Sequence, residues 1–325
     1  MLTYLIQRFG QAVLTVAAMA TLVFLGVYAI ADPIDVLAAP DATPDERAQI
    51  SRRLGLDQPL WMQFATFVWR ALHGDLGRSF VYNEPVFTVI LQRLPATLEL
   101  AFTALFIAIA LGLPLGLWAG LRAEKATDKA IMGGSILAFS LPNFWQGLML
   151  VLIFSVTLGW LPAGGRGETV RVLGLDLGFL TLDGLRHLIL PAVNLALFKL
   201  AVVIRLARAG TREAMLQDYV RFARAKGLRP ARIVGVHVLK NILLPVVTVI
   251  GLEFGSMIAF AVVTETVFAW PGIGKLLIDS INRLDRPVIV AYLMLTVCLF
   301  VLINFVIDLI YAALDPRVRL AETDA

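Results

Sequence analysis

Charged residues are scarce in this sequence. They make up 16% of its 325 residues, against 59% hydrophobic residues and a mean hydropathy of +0.81. Soluble domains carry about 25% charged residues, so this composition excludes an ordinary soluble domain. It predicts a protein that crosses a membrane several times.

Cysteine and histidine are also rare. The single cysteine, Cys298, lies inside an apolar run, which excludes a disulfide framework or a thiolate metal site built within this chain. The three histidines, His73, His187 and His237, are far apart, and none belongs to an H-x-x-x-H pair. A helical metal site is therefore not indicated, and a membrane-embedded enzyme, which needs clustered His, Asp, Glu or Cys, is disfavoured.

A phosphate-binding loop is missing as well. Gly274-Lys275 invites the comparison, but the residue five before Gly274 is Ala269 and the residue after Lys275 is Leu276. Neither the first glycine of the loop nor a Ser or Thr for Mg²⁺ is present, and no Walker A sequence occurs elsewhere. The sequence thus excludes a P-loop ATPase, and it predicts no catalytic residue, metal or cofactor in this chain.

Long apolar runs, by contrast, are abundant. A bilayer core of about 30 Å needs about 20 apolar residues in a helix, because an unpaired backbone amide in lipid costs several kcal/mol. Six segments meet this requirement, which predicts an all-α polytopic membrane protein with six transmembrane helices. The predicted spans are Phe9–Ala31, Pro95–Leu121, Asn143–Leu161, Leu188–Leu206, Ile242–Phe268 and Val288–Leu314.

Residues 32–94 separate the first two spans and hold eight acidic and six basic residues, so we expect a small extramembrane domain there. Within it, Pro59–Leu72 places apolar residues at the i, i+4, i+7 and i+8 positions of an amphipathic helix. On either side we expect an N-terminus with the first span (1–31) and a transmembrane domain (95–314), followed by a short tail (315–325).

Two local signals refine the spans. Ala29–Ala31 resembles a signal-peptide cleavage site, but the apolar run before it is about 23 residues, longer than the 7 to 15 of a signal peptide, so we expect an uncleaved span. Before the third span, Pro142 disfavours helix at Leu141, which predicts a break with a short helix before it.

The basic residues predict the orientation. Six spans put both termini on one side, and the short segments of that side carry fifteen Lys and Arg residues, against six on the other. Cytoplasmic loops carry the excess of Lys and Arg, so we expect both termini in the cytoplasm and residues 32–94 outside it.

Nine of the fifteen fall between Arg205 and Lys240, where the quoted stretch "DYVRFARAKGLRPARIVGVHVLKN" (residues 218–241, hereafter the basic segment) lies. We expect a helix from Thr211 to Gly227, with Thr211 as N-cap, Asp218 in the interior and Gly227 at the C′ position. A second helix then starts at Pro230 and runs into the fifth span.

Such a segment has two interpretations. A basic loop facing anionic lipid accounts for the charges. It does not account for the length and punctuation of the segment, because a loop that only sets topology needs a few charges and no capped helix.

The stretch "YVRFARAKGLRPARIVGVHVLKNILLPVV" (residues 219–247) resembles the cytoplasmic loop of the inner-membrane permeases of bacterial ABC importers, in the dipeptide, oligopeptide and nickel class. Further quoted stretches resemble the same class along almost the whole chain: "LGLDQPLWMQF", "HGDLGRSF", "RLPATLELA", "SLPNFWQGLMLVLIFSVTLGWLPAGG", "ETVFAWPGIGKLL", "DRPVIVAYL" and "DLIYAALDPRVR".

The resemblance implies a type I ABC importer permease fold and a subunit of a peptide importer in the bacterial inner membrane. It also implies a second related permease, two ATPase subunits that bind ATP and Mg²⁺, and an extracytoplasmic substrate-binding protein; no nucleic-acid partner is expected. Residues 32–94 are the expected contact for the binding protein, shared with residues 162–187. Relatives of the class also carry nickel chelates, opines and glutathione, so the substrate stays open.

In that family the cytoplasmic loop (here about 207–240) forms a coupling helix that docks on the ATPase. The generic loop reads E-A-A-x3-G, whereas Glu213-Ala214 lies too far before Gly227, which favours the later residues over Glu213. The expected coupling residues are Tyr219, Arg221, Ala223, Arg224, Ala225, Lys226 and Gly227. Small residues there allow close approach, and the basic side chains can pair with carboxylates of a partner.

The ionisable residues of the spans are further candidates. Glu99, Arg205, Glu265 and Asp308 lie near enough to a span end to reach water, whereas Glu253 and Lys199 lie deeper, and we expect Glu253 to face the translocation path. "WPGIG" reads either as an interfacial turn with Trp270 at headgroup level or, by the resemblance, as the outer end of the pore near Glu265. The pathway candidates are Glu253, Glu265, Trp270, Pro271, Gly272 and Gly274.

One other class of transporter stays open. An ion-coupled secondary transporter needs embedded proton or Na⁺ sites and often repeated halves, and the sequence shows no obvious repeat and few deep carboxylates.

Overall fold

The computed structural model describes residues 2–30, 34, 42–54 and 57–314. The regular secondary structure of these residues is helical apart from one short β-hairpin and an isolated β-bridge between Arg78 and Pro85. The helices are α1 (Leu2–Ile30), α2 (Pro44–Leu54), α3 (Leu60–Leu72), α4 (Val86–Leu121), α5 (Ala126–Ser140), α6 (Asn143–Leu150), α7 (Leu182–Leu216), α8 (Asp218–Ala225), α9 (Pro230–Arg232), α10 (Leu239–Val267), α11 (Ile273–Asn282) and α12 (Arg286–Leu314).

Two π-helical segments and the hairpin complete the fold. Val151–Thr157 continues α6, and Ile233–Val238 joins α9 to α10. The hairpin pairs β1 (Val170–Val172) with β2 (Leu175–Leu177) in antiparallel register. The chain divides into two compact units, with boundaries after Pro95, Pro271 and Leu302.

Four of the described helices are long and apolar enough to cross a membrane: α4, α7, Pro245–Val267 of α10 and Arg286–Val306 of α12. The pair α5 and α6, bent by 105°, gives a fifth span if it is counted as one. The remaining predicted span, the first, lies on α1, where the described residues contain a shorter apolar stretch, Gly10–Gly26. Six spans therefore remain a prediction, and the predicted tail, 315–325, lies outside the described residues.

The predicted break at Pro142 is confirmed. Leu141 has an extended backbone (φ −81°, ψ 138°) between α5 and α6. The Gln146 side chain donates to the carbonyl oxygens of Ala138 (2.6 Å) and Leu141 (2.8 Å), which satisfies the exposed end of α5. Sequence reasoning found the proline but not this cap.

Three glycines let α4 and α7 approach closely. A Cβ at Gly116 would lie 2.6 Å from the Ala207 Cβ and the Ile204 carbonyl oxygen, and a Cβ at Gly120 would lie 2.5 Å from the Thr211 Cβ. Gly112 meets Val203 in the same way. The G-x-x-x-G-x-x-x-G spacing is typical of packed membrane helices and was a signal that the sequence offered.

Two apolar clusters lie among the described residues of the second unit. One surrounds Leu100, Leu188, Met257 and Trp270. The other joins α7 and the basic segment to α10. Its buried members are Val203, Ala207, Ala214, Val220, Ala223, Ile233, Val238, Ile242, Val246 and Ile250.

The first unit confirms the predicted amphipathic helix. In α3, Phe64 and Phe67 pack on Phe24 of α1, with ring centroids 5.2 and 5.9 Å apart. Thr43 and Glu46 form a capping box at the start of α2, and the backbone N–H of Thr43 donates to Glu46 at 2.8 Å, which holds the pKa of that carboxyl below its usual value. Residues 32, 33, 35–41, 55 and 56 of the predicted extramembrane domain lie outside the described residues.

A buried aspartate orders the segment before α4. Asp285 accepts hydrogen bonds from the Ser79 hydroxyl and from the backbone N–H groups of Phe80 (3.1 Å) and Val81 (3.3 Å). All three contacts are made within the first unit. The Asp285 carboxylate thus accepts hydrogen bonds from backbone N–H groups that a carbonyl oxygen would otherwise satisfy. The sequence gave no signal for this contact.

Candidate functional site

The basic segment begins at a break that the sequence prediction misplaced. The structure continues α7 to Leu216, and Gln217 (φ −73°, ψ 150°) separates it from α8. Thr211 is therefore not an N-cap: it is buried inside α7, where its hydroxyl donates to the Ala207 carbonyl oxygen at 2.6 Å. Because this internal bond satisfies the hydroxyl, nothing ends the helix there, and Asp218 lies in the first turn of α8 rather than in a helix interior.

The end of α8 has the predicted cap. Gly227 adopts φ +75°, and its N–H donates to the Arg224 carbonyl oxygen at 2.9 Å. The N–H of Leu228 donates to the Ala223 carbonyl oxygen at 3.2 Å. These two bonds make a Schellman motif, which requires the left-handed conformation that glycine adopts without strain. Pro230 then begins α9, as predicted.

Helix α8 has a buried inner face and an exposed outer face. Val220 and Ala223 are buried against Ile233 and Val238 of the second cluster. This corrects the expectation for Ala223, which packs inside the chain and does not form a surface for a partner. The other expected coupling residues are exposed: Tyr219, Arg221, Arg224, Ala225, Lys226 and Gly227.

One member of the outer face was missed. Phe222 is 61% exposed, and the ammonium of Lys226 lies 4.5 Å from the centre of its ring. An exposed aromatic residue among basic side chains is typical of an interface anchor. Its position between Arg221 and Arg224, two of the expected coupling residues, was the available signal.

A buried ion pair lies close to the basic segment. Asp128 of α5 is buried, and the guanidinium of Arg208 on α7 donates to both of its oxygens, at 2.5 and 2.7 Å. The backbone N–H of Glu124 adds a third bond to Asp128 at 2.8 Å. The sequence gave no spacing signal for this pair, since its members lie 80 residues apart.

A second ion pair lies deeper in the spans. Lys199 of α7 donates to Glu253 of α10 and, at 2.8 Å, to the hydroxyl of Ser256. Ser256 also donates to Glu253 at 3.0 Å. The two residues that the sequence placed deepest are therefore partners, which sequence reasoning had not predicted.

Glu265 does not lie at a solvent-exposed mouth. It is fully buried in the second unit, and its carboxylate accepts from the Thr97 hydroxyl at 2.6 Å. The preceding residue, Thr264, belongs to a buried amide cluster, in which Asn194 donates to Thr264 (3.1 Å) and to Asn143 (2.5 Å). The expectation that Glu265 reaches water is wrong, because packing of α4 and α10 encloses it.

Trp270 is not an interfacial residue either. Its side chain is fully buried, and its indole N–H donates to the Ala96 carbonyl oxygen at 2.9 Å. The ring therefore packs inside the chain and does not face lipid headgroups, because α4 supplies a partner for its one polar atom. Pro271 is half-buried, and Gly272 and Gly274 are buried at the start of α11.

Glu99 is a further buried carboxylate, contrary to the expectation that it reaches water. Arg166 donates to it twice, at 2.8 and 3.1 Å, and the backbone N–H of Phe179 donates at 2.5 Å. Arg166 also bonds the Asp176 carbonyl oxygen. Glu99 thus fixes the base of the hairpin of β1 and β2, a role with no sequence signal. Among the described residues, no group of His, Cys, Asp or Glu is placed to hold a metal ion.

Two family models match the chain. Residues 112–320 match the binding-protein-dependent transport system inner membrane component, and residues 1–101 match the N-terminal component of such systems. Together the matches extend from the first helix into the last.

Full-length relatives agree. The chain is 41% identical over 333 residues to the di/tripeptide transport system permease protein DppB of Pseudomonas aeruginosa, with 98% of this chain and 99% of the relative covered. It is 37% identical over 338 residues to the dipeptide transport system permease protein DppB of Escherichia coli K12, with the same coverage. Both relatives are permease subunits by name.

A solved structure shares the fold. The MetNI methionine ABC transporter, in an inward-facing conformation, contains a chain that matches with a TM-score of 0.53 at 18% identity, covering 70% of this chain and 96% of that one. The family, the relatives and the fold together indicate a multi-pass subunit of the inner membrane that works with ATPase and substrate-binding-protein partners and is not itself an enzyme. The chain belongs to the family of binding-protein-dependent transport system inner membrane components, the permease subunits of ABC importers.

Proposed function

We propose that this chain forms half of the translocation pathway of an ATP-driven importer for dipeptides or oligopeptides, which a substrate-binding protein delivers. The observation that carries the proposal is its end-to-end similarity to two permeases named for dipeptide and tripeptide transport. Nickel chelates, opines and glutathione are the alternative cargoes for the same architecture.

The proposed assembly contains a second, related permease and two ATPase subunits, which bind ATP and Mg²⁺. Six spans place both termini in the cytoplasm and residues 32–94 outside, as the excess of Lys and Arg supports. The outer domain, together with residues 162–187, contacts the binding protein.

The outer face of α8 docks on the ATPase. Arg221, Arg224 and Lys226 supply positive charge for carboxylates, and Phe222 supplies an apolar anchor. The inner face connects this contact to the spans, because Val220 and Ala223 share one packed cluster with residues of α7 and α10. A displacement of α8 therefore moves the ends of both helices, since a packed core transmits strain.

Glu253 is the pathway-facing carboxylate of the proposal. Its side chain is 32% exposed, whereas Glu265 is enclosed. This difference in exposure favours Glu253 over Glu265 as a group in contact with the cargo. The buried Trp270 and its turn then have a packing role between the spans.

The test is reconstitution of the complete transporter in proteoliposomes with the binding protein outside and ATP inside. We expect uptake of radiolabelled L-alanyl-L-alanine that requires both components and persists when ion gradients are collapsed by ionophores. Uptake that follows an ion gradient without ATP establishes the secondary-transporter alternative instead. Transport of nickel chelates or glutathione, but of no peptide, keeps the mechanism and replaces the cargo.

A further inference from the structure

The ion pair between Lys199 and Glu253 is built unlike the other buried carboxylate sites of the second unit. The carboxylates of Asp128 and Glu99 are almost completely enclosed and held by several donors. The side chain of Glu253 is 32% exposed, while that of Lys199 is 10% exposed. One edge of this pair is therefore open to whatever lies beside it.

The open edge lies within the apolar part of the spans. Glu253 follows Pro245, where the apolar stretch of α10 starts, by eight residues, which places it about 12 Å along the helix axis. Lys199 lies seven residues before Leu206, the predicted end of the fourth span, or about 10 Å from it. A charged edge at this depth is unstable against lipid, so it must face water, cargo or protein.

A cleft opens beside the pair. Its lining consists of Lys199, Glu253 and apolar side chains, which are Leu105, Val202, Val203, Leu206, Val249 and Ile250. The ring of Phe198 lies 5.1 Å from the Lys199 ammonium, so one aromatic face flanks the cationic group, and Phe139 stacks on that ring at 4.4 Å. The cleft has room for about one water molecule, about 10 Å³, so it leads to the two opposite charges and does not itself enclose a cargo molecule.

We propose that Lys199 and Glu253 bind the two charged end groups of a zwitterionic cargo during its passage, the carboxylate at Lys199 and the ammonium at Glu253. This inference rests on the proposed function and names the chemistry that the pathway recognises. Without cargo the two side chains neutralise each other, and Ser256 holds both.

Exchange of partners is the physical basis of this site. A zwitterion adds no net charge to the membrane interior, and each of its ends replaces one half of the existing ion pair. A cargo with one charged end leaves either Lys199 or Glu253 unpaired at low dielectric, which is costly. The site therefore selects for free amino and carboxyl ends and binds them only weakly, because each ion pair with the cargo forms at the expense of the pair between Lys199 and Glu253.

The double variant Lys199→Met/Glu253→Gln tests the role of the pair. Both charges are removed together, so no unpaired charge remains, and replacement of a buried pair is often neutral for stability. If the pair only holds α7 to α10, the assembled double variant transports L-alanyl-L-alanine like the wild type, which overturns the inference. If the pair contacts cargo, uptake falls about tenfold or more although the complex assembles.

A second measurement does not alter the charges. Val202→Cys, in a Cys298→Ser background, places a thiol on the cleft beside intact Lys199. We expect a water-soluble, charged thiol reagent to label it in the assembled transporter, and millimolar L-alanyl-L-alanine to slow that labelling. A thiol that does not react, or that reacts equally fast with and without the dipeptide, contradicts the site. Failure of the wild type to import any dipeptide is a separate result, which refutes the proposed function itself.

Discussion

Arg208 on α7 holds Asp128 on α5 through two hydrogen bonds, one from Nε and one from Nη2 to separate carboxylate oxygens. The carboxylate is 2% exposed, so it is paired almost completely out of water. Arg208 lies one helical turn before Thr211, where α7 packs on Gly120 of α4. The pair thus fixes the helices next to the segment that we propose to dock on the ATPase.

Asp128→Asn is expected to destabilise the protein. The substitution leaves the partly buried Arg208 guanidinium without its counter-charge, and breaking a buried pair in this way costs about 3 kcal/mol. A thermal unfolding measurement in detergent should show a clear fall in Tm. Glu124→Gln is the matched control, because Glu124 pairs with Arg212 at 3.5 Å on the exposed surface and contributes little. Equal Tm values for the two variants would show that the buried pair is not structural.

Gly227→Asp is expected to abolish stable association with the ATPase subunits. The position has φ +75°, where a side chain is strained. The new carboxylate also neutralises part of the positive charge that the outer face of α8 presents to its partner. Gly227→Asn separates the two effects, because asparagine tolerates the left-handed conformation and adds no charge. We expect co-purification of the ATPase with the Asn variant and not with the Asp variant. A complete Asp-variant complex with normal substrate-stimulated ATP hydrolysis would contradict the docking role.

Phe222→Ala and Val220→Ala are expected to fail in different ways, because the two residues occupy opposite faces of α8. Loss of the exposed ring should weaken ATPase binding while the Tm of the isolated permease stays unchanged. Loss of two buried methyl groups at Val220 should lower stability by about 1–2 kcal/mol. Titration of the ATPase onto nanodisc-bound permease, with thermal unfolding alongside, measures both. If Phe222→Ala binds normally, the outer face of α8 is not the docking surface.

Local signals explain what the sequence could predict. Pro142, Gly227 and Pro230 act through their own backbone, so the break, the cap and the restart of the helix followed from single residues. Thr211 misled because its hydroxyl has two possible partners, an N-terminal amide or the carbonyl of Ala207, and only the packing of α7 decides between them.

Partners distant in sequence explain what could not be predicted. Glu99, Glu265 and Trp270 look like boundary residues by position, yet each is enclosed by a contact from another segment: Arg166, Thr97 and Ala96. Nothing local distinguishes a carboxylate that reaches water from one that meets such a donor. For the same reason the pairing of Lys199 with Glu253 had no sequence signal, although the depth of both residues did.

Gly116→Ala tests the close contact of α4 with α7. Its Cβ would lie 2.6 Å from the Ala207 Cβ and the Ile204 carbonyl oxygen, both of which belong to a helix that cannot shift alone. We expect a lower Tm and less assembled transporter. Gly133→Ala on α5 is the control: nothing lies within 4 Å of its added methyl group, so helix propensity should make it neutral or slightly stabilising. Equal stability of the two variants would mean that α4 and α7 separate readily.

Glu253→Cys, in a Cys298→Ser background, tests whether this part of α10 faces water. Only the thiolate reacts, and neither a thiolate nor a charged reagent is stable in lipid, so labelling by a charged thiol reagent reports a water-filled path. We expect Glu253→Cys to react in the assembled transporter. Met257→Cys, which is buried in the same helix, is the control that should not react. Phe260→Cys, an exposed position two turns further along the same face as Glu253, shows how far the water-filled path extends. If all three thiols stay unlabelled, α10 is covered at this level and Glu253 faces protein. If Phe260→Cys reacts and Glu253→Cys does not, the water-filled path lies two turns further along the same face of α10, and the pathway assignment moves with it.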